Sequence, residues 1–200
     1  ECHIERHYTG CPCGNPDCAL KNEWPDFGPH IGCFGAIRPM KNHLLQAVSA
    51  MRAGDCLGKK VYFHINTKRL EGRGEPVLKN LRNLFKNTDH VLVEHGWMER
   101  ENFLAVSRRM HLGMQVSFSE TFNIVAADMI SQDVPMVVSR EIEFVAPFFK
   151  ARTTSSLSIV LHIIFALATS KIKLHRLNEL LLKLSGIFSK KIWLDFIYCH

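Results

Sequence analysis

Residues 112–139 read LGMQVSFSETFNIVAADMISQDVPMVVS, and three signals follow one another in that stretch. Leu112 to Phe118 is an apolar run of strand length. A helical segment follows from about Thr121 to Gln132, and Pro135 to Ser139 is a second short apolar run. Strand, helix and strand in this order form a right-handed βαβ unit, whose two strands lie parallel in one sheet.

The same alternation extends toward the N-terminus. Ile31 to Ile37, Val61 to Ile65 and His90 to Glu94 read as buried strands. Between them, Leu44, Leu45, Val48 and Met51 predict a helix over Lys41 to Arg52, and Val77, Leu78, Leu81, Leu84 and Phe85 predict one over Glu75 to Phe85. Gly72 and Gly74 mark the loop before the second of these, and Glu99 to Met110 is a charged, amphipathic helix. Toward the C-terminus, Thr153-Thr154-Ser155-Ser156 offers N-caps for two helices. The first carries Val160, Ile163, Ile164 and Leu167 on one face, and the second carries Leu174, Leu177, Leu181 and Leu184. The fold class is α/β, a Rossmann-like doubly wound parallel sheet with C-terminal helices. Residues 1–29 form a Cys-rich polar lead that is not a domain, 30–150 the core, and 151–200 helices that pack on the core or on another domain.

Composition excludes several classes. Two hundred residues at 46% hydrophobic and 22% charged suit a globular chain with a sizeable core. The longest apolar run, Ser158 to Ala168, is too short to span a bilayer and carries His162. The opening residues from Glu1 are neither a signal nor a transit peptide, so a piece of something longer is expected. The formal charge of +6 is uneven, with seven basic and two acidic side chains in 151–200. Its Lys and Arg are not interleaved with aromatics in a recognised module, so no nucleic-acid partner is expected. A phosphate-bearing ligand or an anionic membrane surface fits as well. Cys33 and Cys56 sit in apolar stretches and read as reduced core residues, which favours a reducing, cytoplasmic setting. Cys2, Cys11, Cys13 and Cys18 crowd the lead beside His3 and His7. Their gaps do not repeat the Cys-x2–4-Cys pairing of zinc sites, so free thiols are the first reading and a zinc site the second.

In an open parallel sheet the ligand lies outside the carboxyl ends of the strands. After the first strand of the core, Arg38 and Lys41 bracket Pro39 at a helix start, a fork and a point charge suited to a diphosphate. After the fourth, Glu120 stands at a strand-to-helix junction. Asp128 lies eight residues further on, so both carboxylates are expected near the same side of the helix. The backbone N–H groups of Phe122, Asn123 and Ile124 would face a phosphate or sugar oxygen. Glu141, at another strand end, completes the candidate set. Solvated surface cations and an acid that merely favours the helix dipole are the bland alternatives.

At these two loops the sequence resembles the retaining GT-B glycosyltransferases of the large family that includes sucrose, mannosyl and lipopolysaccharide-core transferases (glycosyltransferase group 1, family 4-like). It looks like their C-terminal, donor-binding domain, over about His30 to Phe196. Ser119 to Asp128 followed by Val134 to Ser139 is similar to the family's E-x7-E segment and its Pro-containing strand. Gly35-Ala36-Ile37-Arg38-Pro39-Met40-Lys41-Asn42, the Trp97 loop, Asn178 and Trp193 agree with it. Asp128 stands where Glu is usual, the common Gly-Arg is here Gly35-Ala36 with the Arg at Arg38, and Asp133 replaces a Gly but tolerates the left-handed turn.

The resemblance implies that Lys41 and Arg38 neutralise the donor diphosphate, Glu120 holds hydroxyls of the transferred sugar and Asp128 takes those of the ribose. The loop around His95-Gly96-Trp97 would meet the base. It implies transfer with retention, without metal or cofactor, from a nucleotide-diphosphate sugar as donor substrate, and the chain contains no Asp-x-Asp. An N-terminal acceptor-binding domain is the expected partner, and peripheral contact with a membrane is a further expectation. The alternative is a non-catalytic nucleotide-sugar-binding or interaction module.

Overall fold

A computed structural model describes residues 8–9, 28–120 and 122–186. Its strands are β1 (Tyr8–Thr9), β2 (His30–Gly32), β3 (Tyr62–Asn66), β4 (Val91–His95), β5 (Leu112–Gln115) and β6 (Met136–Val138). They form one sheet in the order β1-β4-β3-β2-β5-β6, with every pairing parallel. The helices are α1 (His43–Leu57), α2 (Gly74–Phe85), α3 (Arg100–Ser107), α4 (Ile124–Ser131), α5 (Ser156–Thr169) and α6 (176–186). From β2 the chain winds outward through β3 and β4, then returns to the other side of β2 to lay down β5 and β6. This is the doubly wound α/β arrangement expected, and its switch point lies between β2 and β5.

Helices cover both faces because each carries an apolar stripe. On α2 that stripe is Val77, Leu78, Leu81 and Phe85, all buried. The predicted face of α5 holds: Ile159, Val160 and Ile163 are buried, with Ser155 capping the helix by accepting from the Ser158 N–H. No helix among the described residues is long and apolar enough to cross a membrane.

Two glycines seat α4 on the sheet. Gly32 and Gly113 pair across β2 and β5. A Cβ at Gly113 would lie 2.1 Å from the Met136 Sδ and 2.8 Å from the Met129 Cε, and one at Gly32 would lie 2.6 Å from the Phe34 ring. Without side chains there, Met129 of α4 drops into the space at the switch point.

Several boundaries differ from expectation. The strand expected over Ile31 to Ile37 ends at Gly32, because Gly35 takes a φ of 110° and the chain turns. The helix expected from Lys41 begins at His43, after a 3-10 turn over Pro39–Lys41 and a left-handed Asn42. The helix expected from Thr121 begins at Ile124. Leu177 and Leu184 are exposed, while Leu174, Leu181 and Leu182 pack on the core. Cys33 is buried as expected, but Cys56 is exposed, since the last turn of α1 points it outward. From the lead, Tyr8–Thr9 contributes the edge strand beside β4, which its polar sequence did not suggest. The lead's cysteines and histidines, and Trp193, lie outside the described residues. Asp133 is left-handed, with φ 62°, as its position before the Pro strand requires.

Candidate functional site

The loops after β2 and β5 meet at the carboxyl edge of the sheet. The Phe118 N–H donates to the Met40 carbonyl, and the Asn42 amide donates to the carbonyls of Val116 and Thr153. Gln46 of α1 joins the same framework. Its amide donates to the Lys41 carbonyl and its oxygen accepts from the Val116 N–H. These bonds hold Lys41 opposite the loop that carries Glu120.

Lys41 Nζ donates to Glu120 Oε1 in an ion pair whose side chains are 13% and 6% exposed. The two residues assigned separately to diphosphate and sugar are therefore partners. Ion pairs this buried have little water to relax them, so losing one partner leaves an uncompensated charge.

Glu120 also lines a cleft of about 420 Å³ with Phe122, Glu141, Glu143, Phe144 and the end of α6 at Leu182, Ser185 and Gly186. Phe122 and Phe144 stand with ring centroids 5.2 Å apart and form its apolar wall. A smaller cavity of about 200 Å³ lies beyond Glu141, among Arg140, Arg152, Thr153 and Thr154. The larger cleft offers carboxylates and rings, a lining that suits neutral hydroxyl donors.

Two members of the candidate set lie apart from it. Arg38 sits half-exposed with Nη1 3.5 Å from Glu71 Oε2, on the loop after β3, and its buried Nε meets no partner. Asp128 is buried, and its two oxygens accept from the Arg100 guanidinium at 2.7 and 3.0 Å. The expected pairing of Glu120 and Asp128 on one side of a helix does not form, because Glu120 precedes α4 by four residues. Nor does Phe122 belong to the first turn of α4. The cap is Asn123, whose side chain accepts from the Ala126 N–H at 2.9 Å and donates to Gln115. That leaves the N–H groups of Asn123, Ile124 and Val125 without intrahelical acceptors.

Sequence reasoning missed Arg100, whose signal was a lone cation at the start of α3. It also missed a chain of histidines. His30 Nδ1 and His64 Nε2 lie 2.9 Å apart, and His64 Nδ1 and His95 Nε2 lie 2.8 Å apart, in a diagonal across β2, β3 and β4. His111 joins at one end, accepting from the His30 backbone N–H at 3.1 Å. Strand register made this arrangement readable in principle: Gly32 pairs with His64 and Asn66 with His95, so the three rings share one face. Burial, followed by the neighbouring His95, His30, His111 and Arg109, holds His64 well below its ordinary range. Burial alone lowers His95 to about 4. His43, the first residue of α1, is lowered to about 4 by burial and then by the Lys41 charge, and neither of its ring nitrogens has a partner. Burial pushes the Cys33 thiol up to about 12, so it stays protonated and unreactive. Among the described residues no cluster of His, Cys, Asp or Glu could hold a metal ion.

With this geometry in view, the fold is that of the GT-B glycosyltransferases. A UDP-forming α,α-trehalose-phosphate synthase from Burkholderia xenovorans superposes with a TM-score of 0.68 at 12% identity, over 85% of this chain and 44% of that one. The catalytic domain of a cholesterol-α-glucosyltransferase from Helicobacter pylori gives 0.60 at 16% identity, over 80% of this chain and 98% of that one. The Escherichia coli trehalose-6-phosphate structure bound with UDP-2-fluoro glucose gives 0.62 at 12% identity, over 79% and 40%. This chain thus spans less than half the length of the Burkholderia and Escherichia chains. No family model and no curated protein matches the sequence.

Proposed function

We propose that this chain is the donor-binding part of a retaining, metal-independent glycosyltransferase and holds a nucleotide-diphosphate sugar at the switch point between β2 and β5. The buried Lys41–Glu120 pair beside the 420 Å³ cleft carries the reading. Glycosyl transfer passes through an oxocarbenium-like state, and the departing diphosphate must be stabilised as it gains charge. Lys41, the unpartnered Nε of Arg38 and the free N–H groups at the start of α4 supply that stabilisation from this chain. As phosphate approaches Lys41, the Glu120 carboxylate is released to accept hydroxyls of the sugar lying against Phe122 and Glu141. Asp128 meets the ribose only if Arg100 shares it, since both its oxygens already accept from that guanidinium. An acceptor-binding domain, a cytoplasmic setting and a membrane surface beside the protein belong to the same proposal.

Calorimetric titration of UDP-, GDP- and ADP-sugars tests it. Saturable binding of one of them, unchanged by chelator and weakened at least about tenfold in both Lys41→Ala and Glu120→Ala, is expected. Binding that requires Mg²⁺, or is indifferent to both substitutions, overturns it. A second reading is a module that binds the nucleotide sugar without transferring it. Donor hydrolysis or transfer by the chain alone would exclude that reading.

A further inference from the structure

The C-terminal helices leave an apolar surface uncovered. On α5, Leu157, Leu161, Phe165 and Ala168 are exposed and recur at helical spacing along one stripe. Leu157 and Leu161 are each more than half exposed, and Ile172, in the turn that follows, is 74% exposed. Phe148 extends the stripe sideways, its ring 6.0 Å from that of Phe165. The stripe is not the leftover edge of a core face, because Ile159, Val160, Ile163 and Ala166 bury the opposite side of the same helix.

Charge identifies the occupant. Between Phe144 and Asn178 the chain has no Asp or Glu, and it carries Lys150, Arg152, Lys171, Lys173 and Arg176. The α5 helix itself has no charged residue at all. Arg152 lies before its first turn. Lys171 and Lys173 flank Ile172 beyond its last, and all three cations are exposed with no carboxylate partner among the described residues. Arg176 alone is neutralised, by Asp133. An apolar ridge with unpaired cations at both ends is complementary to a surface that is apolar within and anionic at its boundary.

We propose that this face of α5 and the Lys171–Lys173 turn form a docking surface for an anionic lipid bilayer. Leu157, Leu161, Phe165 and Ile172 would enter the acyl boundary while Arg152, Lys171 and Lys173 meet headgroup phosphates. The His175 and Arg176 contacts to Asp133 place the turn beside the loop that enters β6, at the amino edge of the sheet. The proposal rests on the membrane setting given above and not on the donor chemistry.

Co-sedimentation of the full chain with phosphatidylcholine vesicles, with and without phosphatidylglycerol, tests it. Binding only to the anionic vesicles is expected, weakened by salt. Lys171→Ala with Lys173→Ala should lower the affinity about 25-fold, at about fivefold for each lysine. Leu157→Ser with Leu161→Ser should lower it at least about tenfold. These four side chains are exposed, so the circular dichroism of both variants should match the parent. No binding, equal binding to neutral vesicles, or binding untouched by both variants overturns the proposal. So does a self-associated chain that Leu161→Ser dissociates while vesicles are ignored, since the face then belongs to a second copy. Donor titration of the same samples separates the two readings: a parent chain that binds donor but ignores anionic vesicles fails this proposal alone, whereas variants that lose vesicle binding and keep donor affinity support it.

Discussion

At the carboxyl edge of the sheet, Lys41 and Glu120 face each other as charges of opposite sign, with Arg100 and Asp128 forming a second pair nearby. Across β2, β3 and β4, His30, His64 and His95 are joined ring to ring, and His95, His30, His111 and Arg109 are among the groups whose charge bears on His64. Both arrangements are polar and mostly buried, yet they answer burial in different ways. The edge pair cancels its charge internally and borders a cleft; in the proposed function, a ligand's phosphate and hydroxyls replace each partner for the other. In the histidine chain, burial disfavours charge on His64 and His95. Each neutral ring has one N–H and one lone pair, so three rings can be linked head to tail without an ion.

Acid should separate the two regions most strongly. An unfolded histidine takes a proton below about 6.5, whereas folded His43 and His95 refuse it until about 4, and burial holds His64 well below its ordinary range too. The unfolded chain then binds more protons, so stability is full above that range and falls as pH drops through it. The loss is about 1.4 kcal/mol per pH unit for each such ring. Urea unfolding midpoints measured from pH 7.5 to 5 should fall steeply, and His95→Asn should flatten the slope. A level profile would mean that these rings are hydrated.

Next in size is the charged pair. Glu120→Ala or Lys41→Ala should destabilise by about 3–5 kcal/mol, because the remaining charge stays buried alone. Replacing both with Met and Leu should return most of that stability while donor binding stays lost. If each single variant unfolds like the parent, the pair is solvated and the contrast between the regions disappears.

Gly113 lies at the switch point that joins them, and Gly113→Ala should cost about 1–3 kcal/mol as Met129 and Met136 are forced aside. Thermal unfolding would show it, and an unchanged midpoint would mean that the sulfurs simply move away. The smallest expected effect belongs to Asn123→Ala. It removes the cap of α4 for about 1 kcal/mol, with a matching fall in donor affinity because the helix start is no longer held. A drop in stability with unaltered affinity would dissociate the helix start from the ligand.

Much of this architecture was legible because strands buried on both faces are continuous apolar runs. Val61 to Ile65 and Val91 to Val93 have no other plausible place than the middle of a parallel sheet. The loops that follow the strands at the switch point could be found from chain order alone, and with them Lys41 and Glu120. What stayed illegible depends on distance in three dimensions. Nothing local to Asp128 shows that Arg100, twenty-eight residues earlier, occupies both of its oxygens. The start of α4 slipped by three residues because Asn123, with a side-chain acceptor, caps better than the residues before it. The histidine chain required a register, which apolar periodicity does not supply.

The sulfur-filled seat beneath α4 also bears on the protein's chemical lifetime. Met129 and Met136 occupy the space that Gly113 leaves, and a Cβ there already has no room. A sulfoxide oxygen on either sulfur would be larger and polar, set in a wholly apolar position. The helix would have to lift, carrying Asn123 with it and disturbing Phe122, the cleft residue next to that cap. Oxidative damage in the interior would thus be felt at the cleft, and peroxide-treated protein, followed by intact mass, should lose donor binding in step with oxidation of these two methionines.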